Sequence, residues 1–148
     1  MKNLNADLKN GTFLQVYLLT GEEAYLKNRY KKRLRAAIVG EDDLMNFTAY
    51  TGKGIDIRQV IETAETMPFF AERRLIQIED SGFFKNACPE LAEYLPTMPK
   101  ETYMVFVEQE IDKRVFIRQM RPVDDQADHD LSRAMSATQI DVTYKTGP

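Results

Sequence analysis

The chain has 148 residues, of which 43% are hydrophobic and 10% aromatic, and its formal net charge is -3. This length suits one domain with a sizeable core, and the weakly acidic balance excludes a protein that binds nucleic acid through overall positive charge. No run of about 18 apolar residues is present, and the first residues lack the apolar centre of a secretion signal. We therefore expect a cytoplasmic protein with no membrane segment.

Short β-rich segments alternate with longer helical ones along the chain. The pattern predicts, in order, a strand at 15–19, a helix from about 22, a strand at 46–50, a helix from 57 to about 67, a strand at 74–79, a helix near 89–94 and a strand at 103–108. Such alternation is typical of a mostly parallel sheet with helices on both faces. The predicted fold class is therefore α/β.

A short apolar loop follows the helix that Asp56 is expected to cap. Pro68 disfavours helical geometry in the residue before it, so this helix should end near Met67. Adjacent residues in an extended segment point to opposite faces, so Phe69 and Phe70 are not expected to reach one core together. At least one ring is a candidate for display to a protein partner. The alternative is that the pair caps the core between helix and strand.

The helix after the first strand is rich in basic residues. Leu26, Tyr30 and Leu34 mark its apolar stripe. A solvated face on an amphipathic helix explains the charges most simply, and contact with a DNA backbone or a neighbouring subunit is the second interpretation. The basic residues are Lys27, Arg29, Lys31, Lys32, Arg33 and Arg35.

The junction after the first strand is where an α/β protein would place a phosphate-binding loop. The motif G-x-x-x-x-G-K-[ST] supplies free backbone amides, a lysine and a hydroxyl for magnesium. Gly21 has no second glycine, lysine or hydroxyl at that spacing, and Glu22 and Glu23 would repel nucleotide phosphates. We therefore expect no nucleotide cofactor here. We also assign no catalytic or metal-binding role to the single cysteine, Cys88.

A second functional hypothesis uses the same carboxylates. Glu22 and Glu23 follow the first predicted strand, and Asp80 follows the third. In a parallel sheet these ends lie at one edge, where carboxylates could hold magnesium as in receiver-like or phosphoryl-transfer domains. Against this, acidic residues at helix starts and strand ends are common as caps and solvated loop residues.

Several segments of residues 1–120 form a pattern by their order and spacing: Val16–Leu26, Met45–Phe47, Ala64–Leu75, Val105–Glu108 and Asp112–Arg114. In this pattern residues 1–120 resemble the N-terminal domain of the delta subunit of bacterial DNA polymerase III, a clamp-loader subunit. The resemblance implies a P-loop-NTPase-like fold of the AAA+ type without a functional P-loop. It also implies that this chain is not an enzyme by itself, since hydrolysis in that family is left to other loader subunits.

The resemblance further implies a binding site and partners. In that family the loop after the second helix inserts paired hydrophobic side chains into a pocket on the sliding clamp. Matched position by position, these are Phe69 and Phe70, with Met67 beside them. The implied function is to bind and open the beta sliding clamp during DNA replication. The full-length protein would also assemble with the tau/gamma and delta prime subunits, and DNA contact through that complex stays open.

Residues 121–148 differ in character from the rest of the chain. They are polar and acidic at first, then sparsely apolar, and they do not resemble the delta family. We expect a foreign tail that arises from an altered reading frame or a cloning remnant, with a natural interaction tail as the alternative. In either case the composition favours irregular structure.

Overall fold

The computed structural model describes residues 2–21 and 23–120. The chain order of the elements is α1 (Lys2–Asn10), β1 (Val16–Leu19), α2 (Ala24–Ile38), β2 (Phe47–Thr51), α3 (Ile57–Glu65), β3 (Arg74–Glu79), α4 (Pro89–Tyr94), a short 3-10 turn (Leu95–Thr97), β4 (Thr102–Val107) and α5 (Lys113–Met120). The predicted strand bounds lie within one residue of these.

The four strands form one parallel sheet in the order β1-β4-β3-β2. In this register Ile76 lies opposite Thr48 on one side and Met104 on the other. Parallel strands need crossover connections, and the intervening helices supply them. Because helices then cover the faces of the sheet, its central strands are apolar on both faces, and the predicted α/β class is confirmed.

Alternate residues of each strand feed two separate cores, because successive side chains point to opposite faces. Leu18, Ile76 and Phe106 belong to the core beneath α3, α4 and α5. On the opposite face, Tyr17 and Leu75 pack with residues of α1 and α2. The sheet is therefore the middle layer of three, and the loops at its two edges remain available for function.

The first helix, α1, was not among the predicted elements. Its sequence is mostly polar, so local periodicity gives a weak signal. Tertiary contacts hold it instead: Leu4 is fully buried, and the Tyr17 hydroxyl donates to Asp7 Oδ2 at 2.6 Å. This helix shows packing overriding a poor local pattern.

The basic face of α2 is less solvated than the sequence suggested. Lys27 is only 6% exposed, and Lys31 Nζ lies 3.1 Å from Glu79 Oε1 at the end of β3. The guanidinium of Arg35 lies 3.7 Å from the centre of the Phe47 ring. The prediction of a solvated face was therefore wrong for these three side chains, because this part of α2 packs against the sheet. The exposed members are Arg29, Lys32 and Arg33.

The last described helix, α5, begins with a side-chain cap. Asp112 Oδ1 accepts a hydrogen bond from the backbone N–H of Arg114 at 2.8 Å. No helix among residues 2–21 and 23–120 is both long and apolar enough to cross a membrane. The expectations for residues 121–148 lie outside the described residues.

Candidate functional site

The loop between α3 and β3 presents apolar side chains to solvent. Met67 is 74% exposed, Phe69 51% and Phe70 94%. The alternative in which the two rings cap the core does not agree with these values. Since the loop leads directly into Arg74 at the start of β3, it lies at the amino edge of the sheet.

The two rings lie on the same side of the loop and touch each other. Their centroids are 4.6 Å apart and the ring planes meet at 76°, an edge-to-face arrangement. The prediction of an extended backbone at this loop was wrong, because Phe70 has φ +50°. A bulky residue in the left-handed region is strained. The conformation that exposes Phe70 therefore lowers the free energy of unfolding.

The strained backbone at Phe70 gives a stability prediction. Both Phe70→Gly and Phe70→Ala remove the ring, but only glycine adopts positive φ without a steric penalty. We expect the glycine variant to have the larger free energy of unfolding, by about 1 kcal/mol, in urea denaturation. An alanine variant that is more stable than the glycine variant by about 0.4–1 kcal/mol, the difference expected where the backbone is compatible with alanine, would show that Phe70 is unstrained in solution.

A buried asparagine at the start of β2 holds the loop in place. The side chain of Asn46 is 2% exposed. Its Oδ1 accepts from the backbone N–H of Phe69 at 2.6 Å, and its Nδ2 donates to the Phe69 carbonyl at 2.9 Å. The same amide donates to Asp43 Oδ2 at 2.9 Å. This pair of hydrogen bonds fixes the backbone of Phe69 as a neighbouring strand would.

Arg74 fixes the loop from the other side. It is 6% exposed, and its guanidinium donates to the carbonyls of Thr66 at 2.9 Å, Met67 at 3.2 Å and Met45 at 3.4 Å. A guanidinium carries five N–H donors in a rigid planar arrangement, so this one side chain holds three carbonyls at fixed relative positions. The loop therefore leaves α3 along a path set by a buried cation.

The opposite, carboxyl edge of the sheet carries the residues of the magnesium hypothesis. Glu22 lies outside the described residues. Glu23 is exposed at the N-cap of α2 and makes no side-chain capping bond, while Asp80 is an exposed residue with φ +51°. Among residues 2–21 and 23–120, no group of three or more His, Cys, Asp or Glu side chains could hold a metal ion. The geometry therefore gives this hypothesis no support.

One carboxylate at this edge has a structural role. Glu108 is 1% exposed, and its Oε2 accepts from the Ser81 hydroxyl at 2.8 Å and the Ser81 N–H at 3.2 Å. Its Oε1 accepts from the N–H of Gly82 at 3.1 Å. Glu108 thus ties the turn after β3 to the end of β4.

Burial gives Glu108 a pH dependence. Desolvation raises the pKa of its carboxyl above the usual 4.5, although hydrogen bonds from Ser81 and Gly82 oppose the shift. A pKa that is higher in the folded state means that the folded chain binds the proton more tightly, so this group lowers stability as pH rises above 4.5. We expect Glu108→Gln to remove that dependence.

The measurement is urea denaturation of both proteins from acidic to neutral pH. The free energy of unfolding of Glu108→Gln minus that of the wild type should increase as pH rises through the interval above 4.5. Differences between the side chains that do not titrate add only a constant offset. A difference that stays constant, or decreases, would contradict the raised pKa.

Comparison with known proteins assigns the family. A family model described as DNA polymerase III, delta subunit, matches residues 17–121. This chain belongs to the DNA polymerase III delta subunit family. A curated relative, the DNA polymerase III subunit delta of Bacillus subtilis (strain 168), is 34% identical over 77 residues. That match covers 51% of this chain and 22% of the relative.

Two solved structures share the fold. The Bacillus subtilis DNA clamp loader delta protein matches with a TM-score of 0.69 and 22% identity, over 95% of this chain and 41% of that one. A gamma subunit-related protein of DNA polymerase III from Thermotoga maritima matches with a TM-score of 0.60 and 13% identity, over 78% and 43%. The AAA+-like fold implied by the resemblance is confirmed. This delta family member spans less than half of either solved chain.

Sequence reasoning found the apolar loop but not the residues that position it. Asn46 and Arg74 were predicted only as the first residues of two strands and as parts of matching segments, and the contact between Asn46 and Phe69 spans 23 positions. The usable signal was their chemistry, since Asn46 borders the predicted strand β2 and Arg74 opens the predicted strand β3. A polar residue at the start of a buried strand needs a partner.

Proposed function

We propose that this chain is the clamp-binding part of a clamp-loader delta subunit, and that Met67, Phe69 and Phe70 form its contact with the beta sliding clamp. The observation that carries the proposal is the 94% exposure of Phe70 on a loop whose backbone is fixed from two sides. A soluble protein gains nothing for its own stability from such an exposed, strained ring. The display is understandable if another protein covers it.

The energetics of the loop suit a compact contact. Burying a phenylalanine side chain stabilises by about 1.5–3 kcal/mol before the costs of association are subtracted. Aromatic pairs that fill a pocket are typical centres of binding energy. Because Asn46 and Arg74 already order the loop, binding need not supply that ordering, and more of the contact energy appears as affinity.

The function we propose is mechanical and requires no reaction in this chain. The sliding clamp is a closed ring of protein. If its open form binds the loop more tightly than its closed form, binding shifts the clamp toward the open form. In the full-length protein, the tau/gamma and delta prime subunits would supply hydrolysis and assembly, and DNA would be reached through that complex. Its site of action would be the cytoplasm, where the bacterial chromosome is replicated.

The test compares two ligands under the same conditions. The chain is immobilised, and binding of the cognate sliding clamp and of ATP with magnesium is measured by surface plasmon resonance and calorimetry. We expect clamp binding in the micromolar range or tighter, and no ATP binding. ATP binding without clamp binding would contradict the proposal. It would instead favour a ligand site at the carboxyl edge of the sheet.

A further inference from the structure

A second apolar loop lies beside the first. Leu44 is 78% exposed and Met45 62%, in the turn that leads into β2. Six large hydrophobic side chains are exposed among the described residues, and five of them belong to this turn and to the loop before β3. The sixth, Tyr25, lies at the start of α2, after the carboxyl end of β1.

The two loops enter neighbouring strands and share their supports. Phe47 of β2 pairs with Leu75 of β3, so the residues just before these strands meet at the same edge of the sheet. Asn46 directly follows the exposed Met45, and its side chain holds both the nitrogen and the carbonyl of Phe69. The loops are therefore one surface in two segments.

The guanidinium of Arg74 also joins them, because it donates to the Met45 carbonyl at 3.4 Å and to the Met67 carbonyl at 3.2 Å. Within the turn, Asp43 Oδ1 accepts from the N–H groups of Met45 at 2.9 Å and Asn46 at 2.8 Å. The hydrogen bond from the Asn46 side-chain amide to Asp43 Oδ2, followed by these backbone bonds, lowers the pKa of the Asp43 carboxyl, which keeps it in the charged form that accepts them. Side-chain hydrogen bonds therefore fix the backbone of the turn, as they fix the backbone of the loop.

We propose that Leu44 and Met45 form a second contact with the same clamp that Phe69 and Phe70 bind. The inference rests on the proposed function and extends its site from one loop to two. The inference depends on the two loops forming one continuous surface. A partner that covers Phe70 at the amino edge also reaches the turn before β2, because both loops are held by Asn46 and Arg74. Exposed carboxylates border this surface at Glu41, Asp42 and Glu72. The clamp surface that fits is therefore apolar with basic groups at its rim.

The first measurement is clamp affinity of the full chain carrying Leu44→Ala with Met45→Ala. Both side chains are mostly exposed, so the variant should fold as the wild type does. We expect its affinity to fall about tenfold, because the truncated side chains lose apolar area that the clamp would bury. Tyr25→Ala, which removes the exposed hydrophobic residue distant from both loops, serves as the matched control and should bind like the wild type.

The second measurement is proximity. A photoreactive benzoylphenylalanine in place of Leu44 should crosslink to the clamp, and the same residue in place of Tyr25 should not. If Leu44→Ala with Met45→Ala binds like the wild type and the Leu44 position gives no crosslink, the second contact is wrong. The proposed function then still stands if Phe69→Ala with Phe70→Ala loses binding.

Two remaining outcomes are also decisive. If affinity and crosslinking disagree, the crosslink decides, because it reports location directly. If the wild-type chain does not bind the clamp at all, the proposed function fails, and the second contact fails with it.

Discussion

Replacing Phe69 and Phe70 together by alanine should weaken binding to the cognate sliding clamp by about 100-fold, because burial of the exposed parts of the two rings contributes about 2–4 kcal/mol and each 1.4 kcal/mol is tenfold in affinity. The rings are 51% and 94% exposed in the free chain, so both are available for burial against a partner. Surface plasmon resonance with immobilised clamp measures the loss.

Because the two rings are exposed, their removal should affect clamp binding without unfolding the chain. Ring removal leaves no cavity in either core, so the free energy of unfolding of Phe69→Ala with Phe70→Ala should stay within about 1 kcal/mol of the wild type. Circular dichroism and urea denaturation check this. A folded double variant that binds the clamp as tightly as the wild type would remove the site assignment.

Replacing Asn46 by alanine should produce the second largest effect, on stability and binding together. The substitution removes the hydrogen bonds to the Phe69 N–H and carbonyl and to Asp43. Losing hydrogen bonds to a buried side chain costs about 1–3 kcal/mol. With the loop released, clamp binding must also order it, so we expect affinity to fall about fivefold to tenfold.

A control must show whether Asn46→Ala binds less tightly because the loop has lost its geometry or only because the chain is less stable. Leu91→Ala is the matched control, since Leu91 is a fully buried residue of α4 whose apolar side chain makes no hydrogen bond to the loop. It should lower the free energy of unfolding by about 2–5 kcal/mol, yet the folded chain should bind the clamp like the wild type. If Asn46→Ala also binds like the wild type, Asn46 supports the fold but does not position the loop.

The fold was largely predictable because its signals are local and repeated. The strand Arg74–Glu79 and the helix Pro89–Tyr94 match their predicted bounds, since apolar runs framed by proline and by polar turns leave few alternatives. Helix α1 was missed for the opposite reason. It packs on the core through Leu4 and Leu8, and a single i, i+4 pair of apolar residues in a polar segment is too short to make a periodic pattern.

The apolar loop was predictable from the sequence, but the residues that position it were not. Exposed aromatics after a proline are visible in the sequence. The bonds from Asn46 to Phe69 and the burial of Lys27 depend on which elements the fold brings together. The alternation of side chains used for the loop requires an extended backbone, and Phe70 instead adopts a left-handed conformation, which residue type alone does not predict for phenylalanine.

The two edges of the sheet have separate tasks in this account. Open α/β sheets bind small ligands at the carboxyl ends of their strands, where Glu108 ties the turn after β3 to β4. The apolar loops lie at the amino ends of β2 and β3. A protein contact at that edge can operate without any ligand chemistry at the other.

Hydroxyl-radical footprinting of the chain with its cognate clamp tests the central claim most directly. Cleavage by trypsin after Arg58 and Arg73 places Met67, Phe69 and Phe70 on one peptide, and exposed methionine and aromatic side chains are oxidised readily. Clamp binding should protect all three residues and leave Tyr25 as reactive as before. Equal oxidation of the peptide in the free and bound chain would show that the clamp does not cover the loop.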